Sequence, residues 1–471
     1  MKMASKDKKR PNIVFILSDD QGYWALGCAG NKEIRTPHLD DLARRGMRFE
    51  NFFCTSPVCS PARASLLTGR IPSQHGVHDW IAAGNVGEDS IEYLQGMIGY
   101  TDLLAENRYV CGLSGKWHLG DSRIPQKGFS HWFVHQGGGG PYHNAPMIKN
   151  GTLYNEPRYV TEVITEEALA FIDEQSKNDD PFYLGIHYTA PHTPWINHHP
   201  QEIVDSYDDC PFESCPDEPL HPWTFEWTKE MKKNRRENLK GFFAAVTAMD
   251  MYIGQVVKKL ETLGLRENTL ICFMSDNGYN CGHHGIWGKG NGTFPLNMYD
   301  TSIKVPAIFS HPGRIPEGVV CEAMVSGYDF MPTLLEYVDI ENTEKYKLPG
   351  KSFLKNLLGE EQEVNGEIVV FDEYGPVRMI RTRDWKYVHR YPYGPHELYH
   401  LAVDPEEKIN RINDESCFPM LKELKAKLDD WFVKYADPVL DGSREGVLGG
   451  GQINLVGPRG KGNKVFLEND Q

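Results

Sequence analysis

Short, wholly apolar runs that stop abruptly at acidic or polar residues recur along this chain, with amphipathic stretches between them. Ile13-Val14-Phe15-Ile16-Leu17 ends at Ser18-Asp19-Asp20, Phe182-Tyr183-Leu184-Gly185-Ile186 ends at His187, and Thr269-Leu270-Ile271-Cys272-Phe273-Met274 ends at Ser275-Asp276-Asn277. Runs of this length without polar alternation are read as strands buried on both faces, which requires helices on either side of a sheet. The helical patterns are present. Thr36 as N-cap with Pro37 in the first turn opens one, its apolar face made by Leu39, Leu42 and Ala43, and longer ones are expected over 161–177 and 238–263. In open α/β sheets sites assemble at the carboxyl ends of strands, so 19–20, 187–192 and 276–277 are expected to converge. After about residue 357 the pattern changes to closely spaced strand candidates at 367–374, 377–381, 386–391 and 397–401, followed by a helix over 418–435. Two units are therefore expected: an α/β domain over 11–357, and over 358–471 a subdomain of antiparallel strands, one helix and a partly mobile Gly-rich tail.

Composition narrows the function classes. With 471 residues, 40% hydrophobic and 24% charged, the chain can bury a large core and is not of disordered type. The formal net charge of −15 disfavours a polyphosphate partner and offers no attraction to an anionic membrane. No stretch is apolar for long enough to span a bilayer. The run 13–17 lacks a small-residue cleavage site and is read as a strand, not a signal peptide. Ten widely spaced cysteines are too sparse for a disulfide scaffold, and a cytoplasmic location is expected.

The most informative segment is Cys59-Ser60-Pro61-Ala62-Arg63-Ala64-Ser65-Leu66-Leu67-Thr68-Gly69-Arg70. A solitary cysteine is ordinarily a small buried hydrophobe, but Cys-x-Pro-x-Arg followed by Ala-Ser-Leu-Leu-Thr-Gly-Arg closely resembles the signature of the type I sulfatases, in which the cysteine is oxidised to formylglycine (3-oxoalanine). The resemblance extends over about 12–404. Asp19 and Asp20 after the first strand, with Asp276 and Asn277 in Ser-Asp-Asn-Gly, are similar to the family's metal ligands. Three carboxylates and an amide form an all-oxygen set that suits a hard cation such as Ca²⁺. Lys116 and His118 in Lys-Trp-His, His192 in Ala-Pro-His-Thr-Pro, and Lys289 in Gly-Lys-Gly resemble the remaining active-site motifs.

This resemblance implies an alkaline phosphatase-like fold: a large mixed sheet flanked by helices, with a small C-terminal antiparallel-sheet-plus-helix subdomain. It implies a sulfatase in which the matured residue 59, itself bound to one Ca²⁺ per chain, supplies the nucleophile. Asp276 would act as base, and Arg63, Lys116, His192 and Lys289 would hold the sulfuryl oxygens. His118 would take the proton that lets sulfate depart. A formylglycine-generating maturation enzyme is an implied partner, as is a small-molecule or oligosaccharide sulfate ester. Trp80, 137–143, 195–199 and Pro222-Trp223 have a composition suited to a sugar, with His143 and His284 as candidate substrate contacts. The run Gly137 to Gly140 reads equally as a flexible surface loop, and 383–405 as a packing hairpin. Cys210 and Cys215 lack a second cysteine pair for a metal site. Two alternatives stand beside the sulfatase reading: a phosphonate monoester or phosphodiester hydrolase of the same superfamily, and a non-catalytic sulfoglycan-binding protein.

Overall fold

The computed structural model describes residues 10–344, 347–365 and 369–468. One large mixed sheet dominates. Its order is Lys304–Val305, Met47–Phe53, Ala307–Ser310, Thr269–Ser275, Asn12–Ser18, Phe182–His187, Val110–Lys116, Phe129–His135, Ala145–Lys149, Thr152–Glu156, with Val319–Ser326 also paired to Met47–Phe53. The five strands from Thr269–Ser275 to Phe129–His135 run parallel, and antiparallel strands flank them.

The unbroken apolar runs have the origin expected of them. Ile13, Phe15 and Leu17 point into one core, whereas Val14 and Ile16 point into another, and none is more than 1% exposed. Burying each such side chain contributes about 1.5–3 kcal/mol. Helices Pro37–Arg44, Val160–Gln175 and Arg235–Thr262 cover one face. Helices Cys59–Thr68, Tyr100–Glu106 and Phe330–Tyr337 cover the other.

Thr36 does not cap its helix as expected. Its hydroxyl faces Asp40 and accepts from the Gly27 N–H, while the orphan N–H groups of His38 and Leu39 donate to the Asp250 carboxylate at 3.1 and 2.7 Å. A carboxylate from the neighbouring helix thus does the work of an N-cap. Burial pushes the Asp250 carboxyl up to about 7.

The C-terminal strands Val370–Tyr374, Val377–Arg381, Trp385–Arg390 and Glu397–His400 form an antiparallel meander. Part of the first expected strand, 367–368, lies outside the described residues. Helix Phe418–Tyr435 buries Leu424, Leu428 and Phe432 against Ile380, Tyr387 and Leu398. Asp300 of the main domain meets Arg381 at 2.9 Å and Lys386 at 2.5 Å, which fixes the sheet's seat.

The tail departs from expectation. It folds back over the main domain, with Gln452 fully buried and Val447 and Val456 at 1% and 2% exposure. Backbone bonds from Gln452 N to Trp80 O, and from Ala82 N to Gln452 O, replace the water that a free Gly-rich tail would need. Among the described residues no helix is long and apolar enough to cross a membrane.

Candidate active site

Strand ends supply most of the site. Asp19 and Asp20 follow Asn12–Ser18, Asp276 and Asn277 follow Thr269–Ser275, Lys116 closes Val110–Lys116, and His192 follows Phe182–His187 by a short turn. Gly115 takes φ +114, and a Cβ there would stand 1.9 Å from His187 O, so only glycine lets these two strand ends approach. Cys59 is the first residue of helix Cys59–Thr68, and Arg63 lies one turn further on.

Cys59 Sγ, an Asp19 oxygen and an Asp276 oxygen lie within 4.8 Å of one another. Lys289 Nζ donates to Cys59 Sγ at 3.0 Å and to Asp20 Oδ1 at 2.5 Å. Lys116 Nζ meets Asp19 Oδ2 at 2.5 Å. Arg63 grips Asp276 Oδ2 through Nε at 2.9 Å and its terminal nitrogen at 2.8 Å. Asn277 Nδ2 donates to Asp20 Oδ1 at 2.8 Å, and His192 Nε2 lies 3.6 Å from Asp20 Oδ2. All ten residues singled out for catalysis or metal binding therefore share one neighbourhood, His118 entering it through Ile81.

Electrostatics here are those of opposed charges in a buried volume. Burial, together with the nearby Asp276 and Asp20 charges, raises Asp19 to about 8 despite Lys116. At Asp276 burial acts upward too, but Arg63, Lys116 and Lys289 outweigh it and hold the carboxyl at about 2. Burial lifts the Cys59 thiol, partly offset by the two lysines. Burial and neighbouring cations keep His118 well below its ordinary range, and burial brings His192 down to about 4 against the pull of Asp20.

The donor set fits a cation. Asp19 Oδ1, 3.9 Å from an Arg63 terminal nitrogen, and Asn277 Oδ1 are buried without a hydrogen-bond partner, an expensive arrangement that a cation bound to these oxygens would relieve. Every candidate ligand apart from the residue-59 side chain is a hard oxygen, as Ca²⁺ or Mg²⁺ requires.

Several features were not anticipated. The Gly137 to Gly140 run is not a free loop: a Cβ at Gly138 would fall 2.0 Å from the His118 ring, at Gly139 2.9 Å from His192, and at Gly140 2.9 Å from His135. These glycines roof the histidines, and their repetition was the only local signal. Tyr142 donates its hydroxyl to His192 O at 2.7 Å. Trp195, grouped with sugar-binding segments, is 2% exposed and donates to Pro191 O; it is core. His284 stacks on Tyr299 with centroids 3.9 Å apart, towards the C-terminal sheet, and His143 lies beside Tyr159. Cys210 and Cys215 form no metal cluster among the described residues, and the ten cysteines are free.

A mixed α/β sheet whose strand ends gather three carboxylates, three cations and a buried thiol defines a hydrolase of anionic esters. Residues 11–340 match the Sulfatase family, and 282–434 match the N-sulphoglucosamine sulphohydrolase C-terminal region. The chain belongs to the type I sulfatase family of the alkaline phosphatase-like superfamily and is a sulfuric ester hydrolase. It is 27% identical to an N-acetylglucosamine-6-O-sulfatase of Bacteroides thetaiotaomicron, over 96% of this chain and 91% of that one. It is 30% identical to an ulvan-active sulfatase of Formosa agariphila, over 91% and 82%. A solved protein in complex with its substrate D-glucosamine-2-N,6-O-disulfate superposes with TM-score 0.78 at 24% identity, covering 93% of this chain and all of that one.

Proposed function

We propose that this sulfatase removes sulfate from a carbohydrate, using formylglycine formed from Cys59 and a Ca²⁺ held by Asp19, Asp20, Asp276, Asn277 and the residue-59 side chain. The observation that carries the reading is the 4.8 Å cluster of Cys59, Asp19 and Asp276, with Lys289 3.0 Å from the sulfur. The sugar assignment is supported by relatives named for N-acetylglucosamine-6-sulfate and ulvan. When present, formylglycine supplies as its hydrate an oxygen nucleophile, and the cation supplies Lewis-acid stabilisation of the sulfuryl oxygens.

The chain's own groups do the rest. Lys116, Lys289 and Arg63 are buried cations aimed at one volume, where they bind the sulfate ester and stabilise charge moving on to the leaving oxygen. Asp276, ionised under the influence of Arg63, is the candidate base toward residue 59. His192 Nδ1 faces Thr193 O at 2.6 Å; a carbonyl can only accept, so Nδ1 bears the hydrogen and Nε2 is the ring's exchangeable position, suited to protonating the departing alcohol once the sulfate ester raises its basicity. His118 Nε2 faces Ile81 O at 3.0 Å in the same sense, leaving the buried Nδ1 to take a proton as sulfate departs.

The test is a peptide mass for residue 59 after co-expression with a formylglycine-generating enzyme, combined with sulfate release from position-defined sulfated mono- and disaccharides. Aryl phosphonate is assayed in parallel. Activity confined to aryl or choline sulfates overturns the sugar assignment, faster turnover of the phosphonate overturns the ester, and an unmodified thiol in an active protein overturns the nucleophile.

A further inference from the structure

The carboxy-terminal tail reaches the site through one residue, Gln452. Its side-chain amide is fully buried and uses every hydrogen-bonding capacity it has. Oε1 accepts from His78 N at 2.8 Å and Asp79 N at 3.4 Å, while Nε2 donates to Gly76 O at 3.0 Å and Asn454 O at 2.9 Å. Its backbone brackets Ile81: Gln452 N donates to Trp80 O at 2.7 Å, and Gln452 O accepts from Ala82 N at 2.9 Å. Ile81 is the residue so held, and it faces the chemistry in both directions. Its N–H donates to Ser60 Oγ at 3.0 Å, next to Cys59, and its carbonyl receives His118 Nε2 at 3.0 Å.

Two neighbours reinforce the docking. Gly451 N donates to Asp79 Oδ2 at 2.9 Å, and Trp80 Nε1 donates to Gly449 O at 3.1 Å. Gly451 has φ +114, and a Cβ there would stand 2.8 Å from Ala82 Cβ and 3.0 Å from the Trp80 ring. The tail thus lies against 78–82 at a separation that a side chain would prevent.

We propose that Gln452 is a positioning residue for the sulfatase reaction: by fixing the register of 80–82 it sets the Ile81 carbonyl, which locks His118 in its Nε2–H tautomer and leaves Nδ1 as the base. An imidazole without that acceptor divides between its two tautomers, and only one of them offers Nδ1 as a base. The catalytic consequence rests on the role given to His118 above; the tautomer does not.

The experiment keeps these apart. In the first arm, long-range ¹H–¹⁵N spectra of the Cys59→Ala protein, with the His118 signals assigned by His118→Ala, report the tautomer without maturation or turnover. We expect a single Nε2–H form in the parent and a mixture of tautomers in Gln452→Ala and in the near-isosteric Gln452→Met. In the second arm, matured full-length enzymes are mixed rapidly with 4-nitrophenyl sulfate. We expect Gln452→Met to retain a nitrophenol burst of the parent's amplitude per formylglycine, with steady turnover lowered at least about tenfold, a part of the ~10²–10⁴-fold that general acid–base catalysis commonly supplies.

An unchanged tautomer in both variants overturns the proposal. So does a turnover loss that scales with the loss of folded protein, read by thermal melting. If the tautomer shifts while His118→Ala itself turns over at the parent's rate, the base role of His118 fails and the catalytic part of the proposal falls with it.

Discussion

Gly138→Ala adds a single methyl group, and the structure indicates where the methyl would land. The new Cβ would stand 2.0 Å from His118 Cε1 and 2.1 Å from Nε2, whereas a Cβ is comfortable only beyond about 3.4 Å. Either the imidazole or the loop must therefore retreat by more than ~1 Å, a displacement of the order that costs about 10²-fold in rate when it misplaces a catalytic group. A hundredfold loss corresponds to about 2.7 kcal/mol of barrier. Overpacking itself costs ~1–3 kcal/mol of stability, so the variant should fold and melt somewhat lower than the parent. Gly137→Ala is the internal control, because nothing lies within 4 Å of a Cβ there. The assay is kcat/KM on a turned-over sulfated monosaccharide, normalised to formylglycine content, with thermal melting alongside. Activity of Gly138→Ala within threefold of the parent, or equal damage from Gly137→Ala, would refute the view that the glycine run is shaped around the histidines.

Three further outcomes are expected. Cys59→Ser and Cys59→Ala should retain binding of a sulfated sugar by calorimetry yet lose turnover by several powers of ten, as removal of a covalent nucleophile generally does. Calcium should raise the melting temperature of the EGTA-treated protein, since a ligand at about 1,000 times its Kd stabilises by ~4 kcal/mol; no shift with calcium or magnesium would discount the carboxylate cluster as a cation site. Asp250 gives the pH dependence. Its carboxyl lies near 7 in the fold against 3.8 ordinarily, so the stability this group contributes is fully present below about pH 4, is lost progressively as pH rises towards 7, and levels off above. The loss is of order 4 kcal/mol, and Asp250→Asn should flatten the dependence of melting temperature on pH between 4 and 7.

How far the sequence disclosed this arrangement varies with the range over which each feature is encoded. The central strands were legible because burial on both faces leaves an unbroken apolar run, as at 13–17 and 269–274, which is a local property. The site residues were legible because their motifs resemble those of the type I sulfatases and because a parallel sheet brings its carboxyl ends together, so that Asp19 and Asp276 can meet across 256 intervening positions. Features that depend on an unrelated segment arriving alongside were not legible. Nothing near Thr36 reveals that Asp250 will satisfy the helix it opens. Likewise, nothing near Gly451-Gln452 reveals that 78–82 has an open edge, and glycine content alone suggested mobility where the backbone is in fact bonded.

The same distinction explains how a chain of net charge −15 can bind an anionic substrate. Arg63, Lys116 and Lys289 are each held by a carboxylate of the cluster, but with Asp19 raised to about 8 the three cations face chiefly two charged carboxylates, Asp20 and Asp276, near neutral pH. Asp19 Oδ1 and Asn277 Oδ1 are buried without a hydrogen-bond partner, the former 3.9 Å from an Arg63 terminal nitrogen. Were a divalent cation held by Asp19, Asp20, Asp276 and Asn277, it would add positive charge to this cluster and favour an anionic substrate in a chain of net negative charge. Pairing with carboxylates offsets the cost of burying the three basic side chains, which would be prohibitive were they unpaired.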